Sequence, residues 1–260
     1  MDLGLKGKVA VVTGASRGLG AAIARRLAAE GMDLVTVARS RDALEAEAAH
    51  LSGTYGVRVT ACPVDLAAPE GASAVLEALA SFDAVHGLVN SAGATKRGNF
   101  FSLTEADWTL GYDLKFHAAV RLSRLLWPKL KAGSGAIVSI AGLGGRMPSA
   151  DFTIGGSVNA ALLNFTKALA EVGSRDGVRV NAVNPGYFRT DRLKNSLRST
   201  MEQTGCSADE AEATLLARLG AARFGEPEEL GGFIAFLMSA QAAYLNGAGL
   251  DFDGGARRGI

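Results

Sequence analysis

The 260-residue chain carries 27 Lys and Arg against 26 Asp and Glu, a formal net charge of +1, so no charge field points to nucleic acid or to an anionic membrane surface. Hydrophobic residues make up 48% and charged residues 20%, which excludes a disordered or fibrous chain and suits a globular protein with a sizeable core. Cys62 and Cys206 have no metal or redox spacing, no apolar run reaches the ~18 residues of a membrane span, and MDLGLKGKVAVVTGAS lacks the anatomy of a signal peptide; free thiols, no metal, no membrane and a cytoplasmic location are therefore expected.

Strand-length apolar runs alternate with longer helical patterns. KVAVVT (8–13) reads as a strand and 19–30 as a helix, DLVTVA (33–38) as a strand and 41–50 as a charged helix. VRVTACPVD (57–65), VHGLVN (85–90), GAIVSI (135–140) and VRVNAVNP (178–185) continue the strands, with a helix over 69–81 between the first two. Thr104 reads as an N-cap for a helix continued by Leu114, Ala118, Leu122 and Leu125. ADFTIGGSVNAALLNF (150–165) opens a further helix, 226–239 a last one, and GLDFDGG (249–255) a last short strand. Near-continuous Val/Ile/Ala strands separated by helices predict a parallel, doubly wound α/β sheet covered on both faces, three layers in one domain over 1–260. Residues 191–222 are helical, charged and without a strand, and read as an insertion over the ligand crevice.

The first strand runs straight into TGASRGLG (13–20). Gly14 permits a tight turn, Gly18 lets backbone approach a phosphate, and Gly20 lets the helix pack close to the strand. With Ser16, Arg17 and Leu19 they form a phosphate-cradling loop at a helix N-terminus. The second strand ends Val37-Ala38-Arg39-Ser40, with no acid to hold a ribose 2′-OH. Arg17 and Arg39 can instead flank a 2′-phosphate. NADP(H) is expected ahead of NAD(H), the bland alternative being two solvated arginines.

Five motifs in order now resemble the short-chain dehydrogenase/reductase family over essentially the whole chain: TGASRGLG, Val64-Asp65, Asn90-Ser91-Ala92-Gly93, Asn181-Ala182-Val183-Asn184-Pro185-Gly186 with Thr190, and Asp251-Phe252-Asp253-Gly254-Gly255. The resemblance implies a Rossmann-type domain, a nicotinamide dinucleotide, a small-molecule substrate and a homodimer or homotetramer. It places Asp65 and Leu66 at the adenine, Asn90, Ala92 and Gly93 along the ribose, and Pro185, Gly186 and Thr190 on the nicotinamide side.

The family's usual chemistry uses Asn, Ser, Tyr and Lys, with Tyr as proton donor. Here Lys115 falls at the Asn, Gly142 at the Ser, Gly155 at the Tyr and Asn159 at the Lys, and no Tyr lies between 113 and 186. Two substitutions read as an exchange, Lys115 and Asn159 keeping one ammonium and one amide with places swapped. A lysine in such a pocket can polarise a carbonyl or do acid–base work. Tyr187, directly after Pro185-Gly186, is the best replacement proton donor; its alternative is an aromatic wall. The space left by the missing tyrosine ring would either admit a bulkier ligand or mark a lost active site. The leading expectation is an NADP(H)-dependent oxidoreductase acting on a small, fairly apolar carbonyl or alcohol, with 191–222 as a substrate lid. The alternatives are a catalytically inactive NADP(H)-binding protein, as sensor or partner subunit, and a lyase or isomerase using the same pocket.

Overall fold

The computed structural model describes residues 2–259. Strand β1 (Val9–Thr13) leads into α1 (Gly18–Ala29), β2 (Asp33–Ala38), α2 (Arg41–Tyr55), β3 (Val59–Pro63), α3 (Gly71–Ala78) and β4 (Gly87–Asn90). Then come α4 (Glu105–Tyr112), a π-helical turn (Asp113–His117), α5 (Ala118–Ala132), β5 (Ala136–Ile140), α6 (Thr153–Asp176) and β6 (Arg179–Pro185). The chain closes through α7 (Asp191–Thr204), α8 (Ala208–Leu219), α9 (Pro227–Met238) and β7 (Gly249–Phe252). All strand pairs are parallel, in the order β3-β2-β1-β4-β5-β6-β7. The doubly wound sheet expected from the alternation is the observed one.

Alternation along β1 shows how both faces are used. Ala10 and Val12 join Ile23, Leu27, Leu34, Leu230 and Ile234 on one face. Val9 and Val11 join Val75, Leu122, Leu126 and Val180 on the other. Burial on both sides removes the polar partner positions that a half-exposed strand would show, so the strands read as continuous apolar runs.

Boundaries shift where local chemistry overrides the pattern. The helix expected over 41–50 runs on to Tyr55, past the turn-prone Ser52 and Gly53, and stops at Gly56, whose left-handed φ of 67° caps it. The helix expected over 69–81 contracts to Gly71–Ala78. A Cβ at Gly71 would lie 2.4 Å from the Asp65 carbonyl oxygen, so the chain there lies tight against the loop after β3. Thr104 caps α4 as read: its hydroxyl accepts from Asp107 N and the Asp107 carboxylate accepts from Thr104 N. Residues 191–222 form α7 and α8, broken at Gly205 with φ 71°. Leu193, Leu215 and Phe224 make a small core of their own there. Among the described residues no helix is long and apolar enough to cross a membrane.

Candidate functional site

Strand order reverses between β1 and β4, which opens a crevice beyond their carboxyl ends. The glycine loop lines it. Gly14 has φ 70° and Gly18 φ 59°, both left-handed, and a Cβ on Gly20 would sit 2.2 Å from the Gly14 carbonyl oxygen. Only glycine lets α1 start this close to the turn. Ser16 and Leu19 are half-buried beside them. Thr13 ties the loop to β4: its hydroxyl donates to Val89 O at 3.3 Å and accepts from Ser91 N and Ala92 N at 2.9 Å each. A Cβ on Gly18 would lie 3.9 Å from Thr190 Cγ2, so the loops after β1 and β6 face each other across the crevice. Gly186 packs its backbone on Asp253, where a Cβ would stand 2.8 Å from Asp253 Cα, and Pro185 ends β6 beside it.

At the end of β2, Arg39 is exposed, as is Arg17 at the start of α1. Neighbouring arginines are engaged, Arg25 with Glu47, Arg26 with Glu30 and Arg41 with Glu45. Arg17 and Arg39 have no carboxylate within ion-pair reach among the described residues. Asp65 is exposed and accepts from Ala67 N at 3.0 Å, while Leu66 is buried next to it. Arg121 straps this loop to the π-turn by donating to Leu66 O, Ala67 O and Asp113 O. Asn90 is buried; its amide nitrogen donates to Ser139 Oγ at 3.4 Å, and its Oδ1 has no protein partner. Gly93 lies against the stem of Lys115, a Cβ there falling 3.2 Å from Lys115 Cδ.

Lys115 sits inside the π-turn, an inserted widening of the helix that is frequent at functional sites. Its Nζ donates to Ala141 O at 2.6 Å, just beyond β5. Burial, with the charge of Arg192 acting in the same direction, pushes the Lys115 pKa down to about 7. Asn159 reaches the next residue: a Cβ on Gly142 would lie 3.0 Å from its Nδ2. Asn159 is 2% exposed and its Oδ1 has no partner. The two residues thus converge on Ala141 and Gly142 from different helices. Gly142 itself has φ 135°, so a serine there would be strained as well as crowded.

The start of α6 is not empty. A Cβ on Gly155 would meet the Phe152 ring at 2.0 Å, and one on Gly144 would meet it at 2.9 Å. Phe152 therefore fills the space that a side chain at 155 would use. This corrects the expectation of a vacated ring volume open to a larger ligand. The guanidinium of Arg97 stacks over the same ring at 4.0 Å and pairs with Asp151 at 2.9 Å. Tyr187 packs against the Leu193, Leu215 and Phe224 core and lines a cleft of about 360 Å³ with Phe188, Arg223, Phe252 and Asp253. Its hydrophobic partners are thus Leu193 and Leu215 of the inserted helices and Phe224 just beyond them.

A family model described as enoyl-(acyl carrier protein) reductase matches residues 14–257. The chain is 35% identical over 256 residues to the 3-oxoacyl-(acyl-carrier-protein) reductase FabG of Vibrio cholerae, covering 97% of this chain and 98% of that protein. The chain belongs to the short-chain dehydrogenase/reductase family. The Escherichia coli FabG is 33% identical over the same share of both chains. Among solved structures, L-sorbose reductase from Gluconobacter frateurii, complexed with NADPH and L-sorbose, superposes with a TM-score of 0.95 at 37% identity over 100% of both chains. Three features of this family member lie outside what its sequence is read to say: the π-turn that carries Lys115, the Phe152 plug and the Arg97 stack. Only Phe152 could have been suspected, since it stands three residues before a glycine that interrupts a helical pattern.

Proposed function

We propose that the chain is an NADP(H)-dependent oxidoreductase that interconverts a carbonyl and an alcohol, with Lys115 carrying the proton. The crevice residues suit a nicotinamide dinucleotide, because Gly14 and Gly18 hold left-handed backbone, Gly20 has no room for a Cβ, and the buried Asn90 Oδ1 still needs a donor such as a ribose hydroxyl. Gly14, Ser16, Gly18, Leu19 and Gly20 would cradle the pyrophosphate, Arg17 and Arg39 the 2′-phosphate, and Asp65 and Leu66 the adenine. Asn90, Ala92 and Gly93 would follow the ribose, and Pro185, Gly186 and Thr190 the nicotinamide. When bound, NADPH supplies the hydride for the carbonyl carbon.

The observation that carries the proton role is the placement of Lys115 Nζ against Ala141 O with its pKa near 7. At neutral pH such an ammonium is a stronger acid than a phenol of pKa ~10. It holds the proton at Nζ, keeps its orientation through Ala141 O, and releases the proton to the developing alkoxide oxygen. Asn159, with an unpartnered Oδ1, would accept from a substrate or ribose hydroxyl. Tyr187 would shape the wall beneath α7 and α8, which would act as the lid over the substrate. A second reading, a catalytically silent cofactor binder, is supported by one observation: the Phe152 ring occupies the space that a side chain at 155, the position read as the family's tyrosine, would use.

NADPH oxidation measured across a panel of ketones and aldehydes separates the two. Turnover that falls about 10²–10⁴-fold in Lys115→Met, with dinucleotide affinity unchanged, supports the oxidoreductase. Tight NADPH binding with no turnover on any carbonyl establishes the silent binder. A second copy of the chain is the partner we propose: Val120, Trp127, Phe165, Leu169 and Val172 of α5 and α6 line an open apolar groove of about 400 Å³, and Val172 is 50% exposed.

A further inference from the structure

The carbonyl that receives Lys115 is held from behind. Ala141 O and Gly142 N belong to one planar peptide group. Lys115 Nζ donates to that oxygen at 2.6 Å, and Gly142 N donates to Asn184 Oδ1 at 3.3 Å. Asn184 Nδ2 donates in turn to Asp251 Oδ1 at 2.7 Å. Asn184 is wholly buried. A carboxylate only accepts, so the amide nitrogen faces Asp251 and the amide oxygen is left for Gly142. Register makes the link direct: Asn184 and Asp251 stand opposite each other in the parallel β6–β7 ladder, their side chains leaving the same face of the sheet. The ladder bond from Ala141 N to Val183 O fixes the preceding peptide, so the 141–142 peptide depends on Asn184.

Asp251 also grips the far end of the same loop. Its Oδ2 accepts from Arg146 Nη1 at 3.2 Å and pairs with Arg257 Nε at 2.6 Å. Arg146 Nη2 adds a bond to Gly249 O at 3.0 Å. One carboxylate thus fastens Gly142, through Asn184, and Arg146, on either side of the turn Leu143–Gly145.

The charged groups around Lys115 give it no shorter route to an anion. On its own turn Asp113 lies 3.9 Å from His117. Asp107 of α4 pairs with Lys96, and Asp151 with Arg97. Arg121 of α5 donates to backbone oxygens. The uncharged Asn159 comes from α6, and the charge of Arg192 in α7 lowers the Lys115 pKa. Lys115 forms no ion pair among the described residues. Hydrogen bonds in series strengthen one another. The Asp251 carboxylate polarises the Asn184 amide, whose oxygen becomes a better acceptor for Gly142 N–H, and Ala141 O then becomes a better acceptor for an ammonium. No proton crosses either amide.

We propose that Asp251 is a positioning residue for the proton donor: through Asn184 it aims the 141–142 peptide at Lys115 and favours the proton-holding form of the amine. The proposal rests on the reading of Lys115 as proton carrier for its catalytic meaning. Arg257 draws on the same carboxylate, so its removal should strengthen the pull that reaches Lys115.

The test reads Lys115 itself. Protein labelled at the lysine ε-carbon is titrated by NMR, the Lys115 signal being assigned by its absence in Lys115→Met. The unaltered protein should titrate at about 7. Asp251→Asn keeps the shape of the carboxylate, and Asn184→Ser has a hydroxyl too short to serve both neighbours. Each should lower the Lys115 protonation constant about threefold or more, and together they should lower it no further than the larger single change. Arg257→Gln should raise it. An unchanged constant in Asn184→Ser overturns the proposal, since Asp251 would then act at most through its field. Movement of Asp251→Asn and Arg257→Gln in the same direction overturns it too, since loosening of the loop would explain both. Where Asn184→Ser does not fold, Asn184→Ala is read by the same criterion, and if neither folds the signs at Asp251 and Arg257 decide. Turnover judges the proton-carrier reading separately. The pH at which carbonyl reduction declines should fall with the constant in Asp251→Asn, and a profile that stays in place while the constant moves overturns the catalytic role. If no carbonyl is reduced, the proton-carrier reading fails, and the NMR constants still decide whether Asp251 governs Lys115.

Discussion

Lys115 shows how one residue's chemistry is set by where a helix is widened. The π-turn delivers its amine to Ala141 O, and burial lowers its pKa from 10.5 to about 7. The folded value is depressed, so between those two pH values the unfolded chain binds more protons than the native one, and stability rises with pH across that window. The penalty is full below about pH 7 and gone above 10.5. Thermal melts from pH 6 to 10 should therefore show a rise that Lys115→Met flattens. The same group sets an opposite kinetic slope: carbonyl reduction should decline as pH climbs through about 7, as the acid form is lost. Phe152 and Gly155 form a second residue-scale unit. Gly155→Tyr alone must drive a ring into the ring already 2.0 Å from its Cβ, at a cost of about 3 kcal/mol or more. In urea unfolding, Phe152→Ala with Gly155→Tyr should recover most of that loss, and simple additivity would show that the two rings do not compete.

At the scale of elements, the glycine loop, α1 and the α7–α8 pair do different work. α1 can start at Gly18 because Gly20 has no Cβ to meet the Gly14 carbonyl. Gly20→Ala should push α1 away from β1, lower stability by about 1–3 kcal/mol and weaken dinucleotide binding, measured by melting with and without NADPH. Arg39→Glu touches the same cleft from β2 without disturbing it, since Arg39 is exposed. It should cost about tenfold or more in NADPH affinity while leaving NADH nearly unchanged; equal losses for both would remove the 2′-phosphate role. The α7–α8 pair packs mainly on itself through Leu193, Leu215 and Phe224. Such a satellite core opens more easily than the sheet. Its amides should exchange faster than those of β1 or β5 and slow when NADPH is present.

For the whole molecule, the sheet is covered on both faces, and an apolar groove runs along α5 and α6. A self-complementary pairing of that face in a second copy would cover Trp127, Phe165 and Val172. Analytical ultracentrifugation should give at least a dimer, and Val172→Glu should shift it toward the monomer without changing the fold. If the unaltered chain sediments as a monomer, the groove has another occupant.

What the sequence by itself determined was the architecture and the glycine turn that opens the cleft. Strand periodicity and the glycine spacing of TGASRGLG are local signals, written within a few residues of one another, and the fold follows both. The boundary shifts at α2 and α3 arose where a left-handed cap or a tight backbone approach outweighed the pattern. Sequence spacing also brought Lys115 and Asn159 into view as a pair, but not their meeting at Ala141 and Gly142, which depends on how the π-turn and α6 pack beside the end of β5. The tertiary structure alone decided two things: that the Phe152 ring fills the space beside Gly155 and that Arg97 stacks on it. Each joins residues tens of positions apart or turns on a side-chain direction, and neither leaves a periodicity to read. Packing alone sets both contacts, and so the wall at the start of α6 could be read only after the chain had folded.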